Sequence, residues 1–247
     1  MLIITADDWG KNRATTDNSL LCFKNGRINS VSAMVFMRDS ERAAELASEF
    51  GVESGLHLNF SQRFDGNVRS ERLVTSQLRL IAFLEKSRFA PVLYNPLLKK
   101  DFEYVYMVQY EEYSRLYGTE PTYINGHRHK HLCANVLLDG LVPRGFKMRR
   151  TFTFNWGEKN LLNMIYRRLI ERIIARRYIS TDCFFSLCPL DNEGFWQKIV
   201  KLSKESAVEL MVHPERKEDF DCLMSDKYFQ LISLVKTGNY GLLYEGH

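Results

Sequence analysis

"MLIITADDWG" (residues 1–10) opens with a short β-branched apolar run, Leu2 to Thr5, and closes on two aspartates. An apolar run of this length without polar alternation predicts a strand covered on both faces. The next fifty residues repeat the unit. Thr16 or Asp17 is placed to cap a helix running to about Lys24, with Gly26 just beyond its end. "INSVSAMVF" (28–36) reads as a second strand. Ser40 caps "ERAAELASEF" (41–50), in which Ala43, Leu46, Ala47 and Phe50 share one helical face. Gly51 stops that helix, and "VESGLHLNF" (52–60) supplies a third strand. A β-α-β-α-β order implies parallel strands joined by crossover helices.

The same alternation continues. Residues 61–100 are the least legible: "SQRFDGNVRS" (61–70) reads as a loop and Leu78–Leu84 as helical. "EYVYMVQYEEYSRLYG" (103–118) is an amphipathic helix ended by Gly118, and "EPTYINGH" (120–127) a strand. Residues 132–141 read as helix, "FKMRR" (146–150) as strand, and 159–177 as a long basic helix. "DCFFSL" (182–187) is a strand, "NEGFWQKIVKLSKE" (192–205) a helix, "AVELMVHP" (207–214) a strand, and 226–236 a last helix. No linker, repeat or low-complexity segment interrupts the 247 residues. The expectation is one α/β domain over 1–247 with a (β/α) barrel-like fold, an incomplete or distorted TIM-type barrel being its form.

Composition narrows the function classes. A formal net charge of +4 is too mild to argue for nucleic acid. Five cysteines, odd in number and without a CxxC pair, read as free thiols in a reducing compartment. The opening apolar run is too short and too acidic for a signal peptide, and nothing approaches the length of a membrane span, so a cytoplasmic location is expected.

In parallel α/β architectures chemistry gathers at the C-terminal ends of the strands. The first strand ends in Asp7 and Asp8; the third carries His57; the fourth delivers His127; a later one ends in His213. Nearly all the imidazoles of the chain therefore meet on one rim. Each has a plainer reading alone: acidic pairs cap turns, and a histidine between two leucines is usually a satisfied core residue. Adjacent carboxylates point apart, however, so one can hold a metal while the other takes a proton from water. "NGHRHKH" (125–131) places His127, His129 and His131 two residues apart. Read as a strand, its outer two would lie roughly 13 Å apart at about 3.3 Å per residue, too far for one ion to use all three. A carboxylate with two imidazoles is a mixed O/N set suited to zinc or another first-row ion with positions left for water.

"ITADDWG", "GLHLNF", "NGHRHKH" and "ELMVHP", in this order and spacing, resemble the YdjC-like carbohydrate deacetylases, a group that includes chitooligosaccharide and hopanoid-associated deacetylases. The resemblance implies metal-dependent removal of an N-acetyl group from an acetamido sugar, free or lipid-linked, with release of acetate. It implies one divalent ion, zinc or magnesium, on Asp8, His57 and His127, with Asp7 as base. His213 is the candidate acid or substrate contact, and Trp9, His129, His131 and Arg149 are the candidate substrate contacts. Two positions depart from the family pattern: Asn125 stands where the family has aspartate, and Trp9 where it has phenylalanine.

Beside the ligand set, "NLLNMIYRRLIERIIARRY" (160–178) has Leu161, Ile165, Leu169 and Ile173 on one side and Arg168, Arg172 and Arg176 on another. A helix packed on the barrel is the plain reading; a peripheral contact with anionic lipid or a phosphorylated sugar is the sharper one. Of Trp9, Phe60, Phe64, Trp156 and Trp196, only Trp9 is expected to stack on a sugar. The partner expected is a small-molecule carbohydrate, with no nucleic acid; a homodimer is compatible. Two rivals remain at this point: a metal-dependent phosphoesterase, and a catalytically impaired sugar-binding protein, which Asn125 alone favours.

Overall fold

The computed structural model describes residues 1–154 and 161–243. Its centre is β1 (Leu2–Trp9), flanked by β2 (Ser30–Ala33) and β6 (Val208–Val212). Outward from β2 lie β3 (Ser54–Leu58) and β4 (Ile124–Gly126), and outward from β6 lies β5 (Cys183–Ser186). The order is β4-β3-β2-β1-β6-β5, every pairing parallel, with the two-residue β7 (Thr237–Gly238) against the start of β1.

The crossovers are α1 (Arg13–Lys24), α2 (Ser40–Phe50), α3 (Glu71–Leu84), α4 (Lys99–Tyr117), α5 (Ala134–Asp139), α6 (Leu161–Arg177), α7 (Glu193–Glu205), α8 (Lys217–Met224) and α9 (Asp226–Ile232). Several boundaries differ from expectation, α3 and α4 beginning earlier at Glu71 and Lys99 and β2 and α5 being shorter at Ser30–Ala33 and Ala134–Asp139. Asn12, not Thr16 or Asp17, caps α1, its side chain accepting from the Thr15 amide at 3.0 Å. The last helix stops at Ile232, and α8 fills a stretch that carries no strong periodic signal. Residues 159 and 160 and Trp156 lie outside the described residues.

The strand expected at 146–150 is replaced by an irregular segment that spans the gap between β4 and β5. The Ile124 amide donates to the Lys147 carbonyl at 2.8 Å, Arg149 N to Ile124 O at 3.1 Å, and Met148 N to Ile179 O at 2.8 Å. Thr153 N then reaches Phe184 O at 2.9 Å. Single-residue bridges thus turn the curled sheet into an incomplete, distorted barrel.

Alternation along the strands sorts the two faces. Leu2, Ile4, Ala6, Val31, Ala33, Leu56, Leu58, Ile124, Val208, Leu210 and Val212 pack outward in one apolar core beneath the helices. The intervening residues face the barrel interior, which is polar: Asp7, Ser30, Ser32, His57, Asn125 and Glu209 are all buried there. Among the described side chains of α6, Ile170 and Ile174 are buried, whereas Ile165 and Leu169 are 47% and 51% exposed. The row expected to pack on the barrel is therefore partly solvent-facing, rotated by the contact that Ile174 makes with the core. Among the described residues no helix is long and apolar enough to cross a membrane.

Candidate active site

β1 is bent where it ends. Asp8 has φ +66°, and the register against β2 shifts between Ala6 and Trp9. Left-handed backbone costs a non-glycine residue about 1–2 kcal/mol, and aspartate is among the few that tolerate it. The bend sends the Asp7 and Asp8 carboxylates to different partners.

Asp8 Oδ1 lies 2.8 Å from His127 Nδ1 and 3.3 Å from His57 Nε2. One ligand atom from each of Asp8, His57 and His127 falls within 4.8 Å of the others, and all three residues are buried. Among the described residues these are the ones that group in this way. Lys11 Nζ donates to the second Asp8 oxygen at 2.9 Å. Burial opposes the Asp8 charge, but hydrogen bonds from His127 and His57 pull its pKa below the carboxylate range. Burial likewise opposes the His57 charge, and Asp7 and Asp8 together raise its pKa above the usual value. The cluster thus favours a cation at its centre, and its O/N/N donors fit a divalent ion.

Asp7 turns inward. Arg149 grips it bidentately, Nη1 to Oδ2 at 2.6 Å and Nη2 to Oδ1 at 2.8 Å, and Ser32 Oγ donates to Oδ1 at 2.9 Å. Burial raises the Asp7 pKa, yet Arg149 and then His57 outweigh it, leaving the carboxyl well below its ordinary value. Arg149, itself fully buried, also donates to Glu209 from Nε at 2.9 Å and Nη2 at 2.7 Å, and Tyr240 closes the chain on Glu209 Oε2 at 2.5 Å.

Asn125 completes the network. Its Oδ1 accepts from His57 Nδ1 at 2.6 Å and its Nδ2 donates to Ser32 Oγ at 2.7 Å. With Nδ1 turned to Asn125, Nε2 is the ring nitrogen of His57 that faces Asp8. Asn125 thus takes the position on His57 Nδ1 that a carboxylate would take.

"NGHRHKH" does not continue as a strand. β4 ends at Gly126, and His127–Leu132 forms a tight 3₁₀ turn with Arg128 and His129 at φ +52° and +57°. The turn folds onto Gly126: a Cβ there would sit 2.9 Å from the His131 amide nitrogen and 3.0 Å from its Cβ. The three imidazoles are thereby separated. His127 faces Asp8. His129 packs edge-on against Phe152 and Phe184, at centroid distances of 4.7 and 5.8 Å, and burial with the Arg149 charge pushes its pKa down to about 3.

Three of the expected substrate contacts are buried in this structure. His131 is fully buried with Nε2 on the Arg149 carbonyl at 3.1 Å, and burial drives its pKa well down, so it is a neutral structural group. Trp9 is fully buried, its Nε1 donating to the Ala43 carbonyl of α2 at 3.2 Å, because the bend at Asp8 directs it into the core. Arg149 is buried between the Asp7 and Glu209 carboxylates. Phe60 and Trp196 are core residues.

Asp7, Asp8, His57, His127, His129 and His213 do line one pocket of about 360 Å³. Lys11, Gln62, Gly126, Arg128, Met211, Glu215 and Arg216 complete the wall. Arg128 also lies 3.4 Å from Glu85. His213 Nδ1 and Glu215 Oε2 are buried without a hydrogen-bond partner. Burial and the nearby Asp8 charge raise the Glu215 pKa. Glu215 escapes the sequence reading, although it lies only two residues past the strand-end histidine.

Known proteins resemble this chain to differing depths. A putative cellobiose-phosphate cleavage protein from Enterococcus faecalis V583 has the same fold, with a TM-score of 0.64 over 97% of both chains at 17% identity. Carbohydrate deacetylases from Danio rerio and Homo sapiens are 30% and 32% identical over 137 and 142 residues. A chitooligosaccharide deacetylase from Yersinia pestis (strain Pestoides F) is 27% identical over 139 residues. Each of these three matches takes in 55% of this chain, and 43%, 42% and 52% respectively of the relative. The chain thus spans about half the length of the curated relatives it matches. The profile of the YdjC-like proteins matches residues 1–233, a stretch holding every pocket residue from Asp7 to Arg216, and the chain belongs to that family.

Proposed function

We propose that the protein is a metal-dependent N-deacetylase of acetamido sugars. The observation that carries the reading is the buried Asp8–His57–His127 cluster sharing one pocket with Asp7 and His213. These three side chains would hold one divalent ion, zinc and magnesium being the first to test. Such an ion supplies polarisation of an acetyl carbonyl and of water.

The remaining work falls to the chain's own groups. A carboxylate offers about four lone-pair positions. Arg149 and Ser32 occupy three on Asp7, leaving one on Oδ2 to take a proton from water. Arg149 keeps Asp7 ionised through the neutral range, at the cost of some basicity, so placement matters more than strength. His213 would return a proton to the nitrogen as the C–N bond breaks, giving acetate and a free amino sugar. His129, held neutral, would form the wall beside the sugar.

The test is acetate release from N-acetylated chito-oligosaccharides by protein stripped with chelator and reloaded with zinc or magnesium. Metal-restored acetate release is expected. Release of phosphate from sugar phosphates, with no acetate from any N-acetylated sugar, would overturn the reading in favour of a phosphoesterase.

A further inference from the structure

The long helix α6 takes no part in the chemistry above. Its Ile165, Leu169, Arg172 and Arg176 are spaced i, i+4, i+7 and i+11, which puts them on one row, within about 60° at ~100° per residue. All four are exposed, because Ile170 and Ile174 on the opposite side of the helix fill the core. The row is therefore aliphatic in its first half and cationic in its second.

Beside the cationic half lies a basin of about 750 Å³. Arg144, Arg172, Arg176 and Arg177 surround it, Leu169 and Ile173 supply its apolar part, and no carboxylate lines it. The acid of α6, Glu171, is taken by Arg150 at 2.6 Å. Arg177 is fixed by its Nη1, which donates to the Leu137 carbonyl at 2.6 Å. Arg144, Arg172 and Arg176 have no ion-pair partner among the described residues. Like charges gathered this way repel one another, and a surface carrying many anions relieves the repulsion.

The basin stands clear of the site. α6 leads into β5, so its C-terminal end lies at the opposite end of the barrel from the strand ends that carry the pocket; there the Arg177 carbonyl accepts from Gly145 N at 2.8 Å. A surface docked on it leaves the pocket uncovered.

The pairing of charge with exposed aliphatics says what fits. A soluble phosphate would use the arginines and leave Ile165 and Leu169 in water. A nucleic acid would do the same, and the row offers it no aromatic face on which to stack a base. A bilayer uses both halves: guanidinium forks match headgroup phosphates, and the aliphatics enter the boundary between headgroups and acyl chains. We infer that this face of α6, with Arg144 beside it, is a docking surface for an anionic phospholipid bilayer, on which the protein lies without crossing.

The test is co-sedimentation of the full chain with vesicles of phosphatidylcholine, and of equal parts phosphatidylcholine and phosphatidylglycerol. Binding is expected to the anionic vesicles alone and should weaken as salt is raised. An arginine near such a surface is worth about fivefold in affinity, the equivalent of ~1 kcal/mol, so Arg172→Gln with Arg176→Gln should weaken binding about 25-fold. Leu169 has half its surface left to bury, and Leu169→Ser should cost about fivefold. Arg144→Gln, outside the helix, repeats the arginine test without touching α6. No step uses turnover, so the outcome is independent of the deacetylase reading. Equal binding to both vesicles, or to neither, would overturn the docking surface. So would a loss in the arginine variants with none in Leu169→Ser, since the face would then be a patch of charge alone. Tight binding of inositol hexakisphosphate or of a single-stranded oligonucleotide, undisturbed by anionic vesicles, would give the arginines to a soluble polyanion instead.

Discussion

Asn125 Oδ1 and His57 Nδ1 lie 2.6 Å apart across the adjacent strands β4 and β3, where His57 and Asn125 are register partners. A neutral amide is thus the partner that orients the imidazole proposed to face the metal. Removing such a partner typically weakens metal binding about 10- to 100-fold. Asn125→Ala is expected to fall in that range by competition with a chromophoric chelator. Asn125→Asp keeps the acceptor and should hold affinity at the wild-type level. Unchanged affinity in Asn125→Ala would mean that His57 is oriented by packing alone.

Asp7→Asn should separate turnover from metal binding. Asparagine preserves shape but gives up the free lone pair and the charge opposite Arg149. Loss of a general base costs about 10²- to 10⁴-fold. The variant is expected to bind one ion per chain while acetate release drops by that factor. A rate near wild type would transfer the base role to another wall residue, Glu215 first.

The Asp7–Arg149–Glu209 group also makes a stability prediction. Arg149→Met leaves two buried carboxylates without their partner, a change that costs about 3–5 kcal/mol. Urea unfolding at pH 7 measures it. The pH dependence has a definite sign. With Arg149 present, the folded Asp7 pKa is depressed, so its contribution is in place above the unfolded value of 3.8 and lost as pH falls below it. Without Arg149, burial raises the folded pKa, and the protonated form becomes the stable one. The gap between wild type and variant should therefore narrow as pH falls from neutral towards 3.8. A constant gap would place the cost in lost packing against Phe184 instead.

Much of this was legible from residue order. Four strand ends carrying Asp7–Asp8, His57, His127 and His213 were readable because buried parallel strands are short apolar runs with their chemistry at one end. What the sequence hid is backbone geometry and the interior. No periodicity announces the left-handed turn at Asp8, so Trp9 read as a wall of the site when it is core. Arg149 and Asp7 are 142 residues apart. Glu209 is a usable signal in retrospect, since a charge amid "VELMV" on a buried strand requires a buried partner.

The histidine cluster gives the sharpest test, because the turn at Arg128 and His129 assigns its members by geometry rather than by spacing. His127 meets Asp8; His131 is tucked behind Gly126 against the Arg149 carbonyl. His127→Ala should abolish both metal binding and turnover, since two remaining ligands do not hold the ion. His131→Ala should keep the metal. It removes a buried ring and orphans a buried carbonyl, for an expected loss of about 2–4 kcal/mol on unfolding. Displacement of Arg149 should lower kcat through Asp7 and leave KM unchanged, because His131 does not touch the sugar. His131→Gln, which retains an N–H donor toward that carbonyl, should recover part of both losses. Chelator titration, urea unfolding and acetate kinetics on the three variants decide the matter. A raised KM with wild-type stability in His131→Ala would return that histidine to the substrate; a folded but metal-free His131→Ala would make it a ligand.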